Sequence, residues 1–176
     1  MITGRNSRAV NSTRRSARIR QGTVSFDKGA GMSLSYSTVV VPIDFSGESP
    51  QAIRAGLDVV DDASKLHLVH VLLPLDSMTP GVLLGDISDE SRRAKVNENL
   101  ATWAAKNGVE TAHRAVLSGT PGLEITDYAK RQNADLIVIP SHGYHGIKRL
   151  VLGSVTERVI RYADCSVLVL RRSDAE

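Results

Sequence analysis

From residue 38 onward the chain alternates between short apolar runs of strand length and longer segments whose apolar residues recur every three to four positions. Thr38–Asp44 opens with a continuous apolar run, the pattern of a strand covered on both faces. Lys65–Leu73 predicts a second strand, Val109–Leu117 a third and more exposed one, Leu136–Ile139 a fourth, and Ser166–Leu170 a fifth, short and buried. Helical patterns fill the gaps. Ser49 as N-cap with Pro50 at the first helical position starts one helix, with Ile53, Leu57 and Val60 as its buried stripe and Asp61 and Asp62 closing it. The next spans 88–107, turns Val96, Leu100, Trp103 and Ala104 inward, and ends at Gly108. Thr120 caps a third that begins at Pro121, buries Leu123, Ile125 or Thr126, Tyr128 and Ala129, and stops near Asn133. Gly153-Ser154 opens the last, with Leu152, Val155, Val159, Ile160 and Ala163 close to one face. Residues 74–86, with two prolines and two glycines, read as irregular.

Strands alternating with helices predict an α/β domain built on a parallel sheet with right-handed crossovers. Ligands of such sheets bind beyond the carboxyl ends of the strands, which directs attention to Asp44 and to the loop after Ile139. That loop runs from Pro140 through His142, Gly143 and Lys148 to Gly153 and Ser154. Strand, glycine loop and helix N-terminus together suit an anion: glycine lets the backbone approach, and the free N–H groups of the first turn, with the helix dipole, favour negative charge. Gly143 and Gly153 are the close-approach positions, the Ser154 hydroxyl a candidate anion ligand, and Val155 and Thr156 further backbone donors, while His142 and Lys148 are candidate added charge. His142 and His145 lack a third partner for a metal. His67 and His70 have opposite parity on one strand, so they face opposite sides of the sheet. No nucleophile–base–orienter set and no Walker A lysine is present, so a dedicated enzyme is not expected.

The spacing Gly143-x9-Gly153-Ser154, the flanking Leu152, the helix that follows, and the strand Cys165–Val169 resemble the C-terminal signature of the universal stress protein family, whose nucleotide-binding members carry Gly-x2-Gly-x9-Gly-Ser/Thr. The position of the first glycine holds Pro140, which offers no N–H. The resemblance covers most of 36–172. It implies a single three-layer domain, similar to the adenine nucleotide alpha hydrolase fold, with a five-stranded parallel sheet in the order 3-2-1-4-5 and helices on both faces. It also implies that Pro42, Ile43 and Asp44 approach the adenosine end of a nucleotide, that Val71 packs on the adenine, and that Pro140, His142, Gly143 and Gly153–Thr156 surround the phosphates. The implied ligand is ATP, with any Mg²⁺ held through the phosphates, in a homodimer formed through the edge strand Val167–Leu170 and active in stress response. A nucleotide-free interaction protein of the same fold is the alternative; an adenylyl-transferring enzyme is a third reading that lacks catalytic groups here.

Composition changes this picture only at the N-terminus. With 176 residues, 41% of them hydrophobic and 23% charged, the chain has the balance of a globular domain, and no apolar stretch approaches a membrane span. Of the net charge of +3, residues 1–31 carry +6, mostly from Arg5, Arg8, Arg14, Arg15, Arg18 and Arg20, so the remainder carries −3. The basicity therefore gives no reason to expect nucleic acid on the folded domain. The leader, 1–35, is expected to be disordered: a functionless extension ahead of a natural start at Met32, a basic arm, or an organelle transit peptide. The domain follows at 36–172 and a short tail at 173–176. The single cysteine, Cys165, reads as a small packing residue, and a cytoplasmic setting is expected.

Overall fold

The computed structural model describes residues 15–19, 22–27, 31–75, 88–141 and 152–171. Three strands precede the domain, β1 (Arg15–Ile19), β2 (Gly22–Asp27) and β3 (Gly31–Ser35), paired antiparallel in that order. These strands lie within residues 1–35, for which the sequence pattern predicts disorder. The register sets Val24 opposite Leu34 and Phe26 opposite Met32, where the sequence alternates apolar and polar positions.

The domain contains β4 (Val39–Pro42), α1 (Ser49–Leu57), β5 (Leu66–Leu72), α2 (Asp89–Lys106), β6 (His113–Ser118), α3 (Pro121–Arg131), β7 (Leu136–Pro140), α4 (Ser154–Tyr162) and β8 (Ser166–Leu170). Its five strands are all parallel in the order β6-β5-β4-β7-β8. Counted within the domain, that is 3-2-1-4-5.

Strand parity divides the core in two. Val39, Val41, Leu66, Leu68, Leu136 and Val138 face α1 and α2 and meet Ile53, Leu100 and Ala104. Val40, Val69, Ile137 and Ile139 face the other way and meet Ile125, Tyr128 and Ala129 of α3 and Val159 of α4. Continuous apolar runs arise because both faces of the central strands are covered. Asp135 ties the sheet's entry together: its Oδ2 accepts the backbone N–H groups of Ser37 at 2.8 Å and Thr38 at 3.1 Å.

Several boundaries move for identifiable reasons. Glu48, not Ser49, is the N-cap of α1; Ser49 is the first helical residue, buried, and its hydroxyl turns to Asp44. The helix stops at Leu57, leaving Val60 and Asp61 in the turn beyond, where Asp62 caps a short 3-10 turn by accepting from Ser64 N. Ser88 caps α2 through a reciprocal bond with Ser91, and Gly108 ends it at φ +68°. β6 starts at His113, because 109–112 form a turn anchored by buried Val109 and Ala112. Thr120 is at the N-cap of α3 but its side chain makes no capping bond, and Leu123 is exposed rather than buried. On α4 the buried residues are Thr156 and Val159, whereas Leu152 and Ile160 are exposed. The helix has only nine residues and touches the sheet along a narrow stripe, so a wide apolar face is not used. β8 alternates between exposed and half-buried, with Leu168 exposed, as an edge strand with one uncovered face does, and not as a buried strand.

Candidate functional site

The order reversal between β4 and β7 opens a crevice beyond their carboxyl ends, and a cavity of about 690 Å³ occupies it. Pro42, Ile43 and Asp44 line it from β4, Val71 and its neighbours from β5, Ile139 and Pro140 from β7, and Gly153, Ser154, Val155 and Thr156 from the start of α4. Nine sequence-predicted positions therefore converge on one cavity. His142, Gly143 and Lys148 lie outside the described residues. Volume and apolar walls suit a small organic ligand, for which pockets of about 300–1,000 Å³ are usual.

The β4 wall is built by a tight loop. Ile43 is buried; its N–H donates to Val69 O at 2.8 Å and its carbonyl accepts from His70 Nδ1 at 2.7 Å. A carbonyl only accepts, so Nδ1 carries the proton. The His70 ring lies 4.9 Å from that of Phe45, which meets Trp103 edge-on at 5.7 Å. Trp103 thus packs against Phe45, in the inward role expected of it. Phe45 itself has φ 60°, a left-handed conformation that costs a bulky residue about 1–3 kcal/mol. Asp44 Oδ1 holds the loop by accepting from Ser46 N and Ser49 Oγ, each at 3.0 Å. It is therefore a loop-organising carboxylate as well as a cavity residue.

The β7 end supplies the polar groups. Ser141 N donates to Leu170 O of β8 at 2.7 Å, and Gly153 N donates to Ser141 O at 2.8 Å, which joins the end of β7 to the start of α4. The first bond internal to α4 is Glu157 N to Gly153 O at 2.8 Å, so the N–H groups of Ser154, Val155 and Thr156 precede the helical ladder. Gly153 has already committed its own N–H, and at φ −64°, ψ 145° it adopts a conformation open to any residue. Backbone conformation alone therefore does not require a glycine there. The Thr156 hydroxyl, on a residue 3% exposed, donates to Pro140 O at 2.8 Å and welds the strand end to the helix start.

Pro140 costs the sheet nothing. Successive residues of a strand point their N–H groups to opposite sides, and Ser141 N faces β8. The proline nitrogen is therefore directed toward β4, whose registered pairing with β7 ends at Ile137.

His67 and His70 do face opposite sides. His67 shares a 2.8 Å hydrogen bond with the Tyr128 hydroxyl and stacks on His113 with centroids 4.6 Å apart. Burial, and then the charge of His113, hold its pKa below the usual imidazole value. Burial, followed by the charges of Asp135 and Asp164, pushes the Cys165 thiol up to about 11, which disfavours the reactive thiolate. Among the described residues no group of three His, Cys, Asp or Glu side chains is placed to hold a metal, and no helix is long and apolar enough to cross a membrane.

Sequence reasoning missed Arg92, Leu73, Pro121 and Ile125, which also line the cavity. Arg92 sits in the first turn of α2 and reaches it by hydrogen bonding to Leu73 O. Proximity of Pro121 to a strand end was the one available signal, since α3 starts on the same side of the sheet as α4.

The model of the universal stress protein family matches residues 35–171. The chain belongs to that family. Among its relatives is the universal stress protein MJ0531 of Methanocaldococcus jannaschii, 30% identical over 151 residues, covering 80% of this chain and 85% of the relative. A solved universal stress protein in complex with cAMP superposes with a TM-score of 0.55 at 25% identity, covering 79% of this chain and 99% of that one. The universal stress protein from Archaeoglobus fulgidus in complex with dAMP gives 0.50 at 26% identity, covering 76% and 97%. This universal stress protein shares the family's order of parallel strands and carries the cavity at its switch point.

Proposed function

We propose that this universal stress protein is a nucleotide-binding module whose ligand is ATP, working as a homodimer in the cytoplasmic stress response without being a dedicated enzyme. The observation that carries the reading is the convergence of an apolar cavity with the three leading N–H groups of α4, which precede its helical ladder, at the β4/β7 switch point. Two family members of the same fold hold cAMP and dAMP, which supports an adenine nucleotide as the ligand class. The adenosine lies over Pro42, Ile43, Asp44 and Val71. The phosphates lie at Gly153–Thr156, where the Ser154 hydroxyl adds a further contact, and Mg²⁺ is carried on phosphate oxygens. β8, an edge strand with exposed Leu168, is the natural dimer seam. Sedimentation at micromolar concentration tests that seam.

Calorimetric titration with Mg-ATP of protein freed of bound ligand tests the binding. Saturable binding, weakened at least tenfold by Gly153→Val, is the expected result. Valine fits the backbone conformation of Gly153, and far-UV circular dichroism checks that the variant folds, so that the loss reports the site. Absence of saturable binding up to millimolar ATP would leave a dimeric interaction protein of the same fold.

A further inference from the structure

The two ends of the cavity differ in chemistry. Beyond β7 stand the N–H groups of α4; beyond β5 stands Arg92. Its Nη1 and Nη2 donate to Leu73 O at 3.2 and 3.1 Å, and Nη1 also donates to Asp89 Oδ1 at 3.2 Å. The Ser88–Ser91 capping box fixes the turn that carries it. These bonds hold the plane of the guanidinium, while the Asp89 carboxylate offsets its charge. The side chain stays 25% exposed. A restrained, charge-compensated guanidinium is a poor centre for a polyanion but a good flat surface for a heteroaromatic ring, on which Arg stacks readily.

We infer that Arg92 is a specificity-determining residue that stacks on the base of the bound nucleotide, opposite the apolar wall at Val71. The inference rests on the nucleotide reading above. β5 and β7 are separated by β4, so the two ends are two strand spacings apart, roughly 10 Å. A ligand with an anionic end and an aromatic end spans that distance; a compact anion meets only the α4 end. Arg92 therefore selects for the base and is indifferent to the length of the phosphate chain.

The test is competition against labelled ATP on the full chain, with adenosine and inorganic triphosphate as probes. Arg92→Ala is expected to weaken ATP and adenosine about tenfold and to leave triphosphate within twofold of wild type. Arg92→Lys keeps the charge without the plane and is expected to behave like Arg92→Ala. Far-UV circular dichroism checks that both variants fold. If ATP binding is intact in Arg92→Ala, or if triphosphate weakens in step with ATP, the stacking role is wrong. If wild type binds no ATP, the nucleotide reading itself falls, and this inference with it.

Discussion

Gly122 is where a single methyl group tests the packing that builds the site. It lies in the first turn of α3, and a Cβ placed there would fall 2.7 Å from Arg158 Cβ, 2.9 Å from Cγ and 3.0 Å from Cδ on α4. The nearest of these atoms belongs to the root of the side chain, so rotating the arginine does not relieve it. Restoring ordinary contact requires the helices to part by roughly 0.7 Å, and overpacking of this kind costs about 1–3 kcal/mol. Alanine's better helix propensity returns at most about 1 kcal/mol, and less in a first turn. Gly122→Ala should therefore destabilise by about 1–2 kcal/mol, lowering the midpoint by about 2–4 °C for each kcal/mol. Urea unfolding followed by circular dichroism, with an unchanged m-value, measures it. A second variant separates the clash from other causes. Arg158→Gly removes the offending Cβ, so Gly122→Ala should cost less in that background, whereas Arg158→Ala keeps the Cβ and relieves only the outer contacts. A Gly122→Ala protein as stable as wild type, or a Gly122/Arg158 cycle additive within about 0.3 kcal/mol, would refute the close crossing. Because Pro121 and the start of α4 both line the cavity, the same variant should also weaken ATP.

Thr156→Val keeps the shape of the side chain but strands the Pro140 carbonyl. It should cost about 1–2 kcal/mol in urea unfolding, with Thr156→Ser closer to wild type. The His67 pKa is lowered in the folded protein, so the unfolded chain binds the proton more readily; this contribution is fully present above the unfolded value near 6.5 and is lost as the pH falls toward the lower folded value. His113→Ala removes the second cause of the shift, and NMR titration should find the His67 pKa closer to its ordinary value. An unmoved His67 would leave burial as the sole cause.

Legibility followed the range of the interactions. The apolar runs of β4 and β7 were readable because strands covered on both faces must be apolar throughout, and Val39–Val41 and Leu136–Ile139 are. Gly153-Ser154 was readable because a helix start after a strand is local chemistry. The face of α4 was not: Leu152, Ile160 and Thr156 all fit a helix, and only the position of the Pro140 carbonyl decides that the threonine is buried and the isoleucine is not. Arg92 was silent for a similar reason, since an arginine in a polar first turn is ordinary until α2 is laid across the end of β5.

By itself, then, the order of residues determined the alternation of strands and helices, the parity that puts His67 and His70 on opposite faces, and the helix start that follows β7 at Gly153-Ser154. These rest on periods of two and 3.6 residues and on near-neighbour backbone chemistry. Tertiary structure alone decided that Pro140's nitrogen has no registered partner to lose, that Asp44 spends one oxygen on its own loop, that Gly122 faces Arg158, and that Arg92 closes the far end of the cavity. Each of those is a meeting of groups far apart in sequence or a direction fixed by register, and a one-dimensional pattern contains neither.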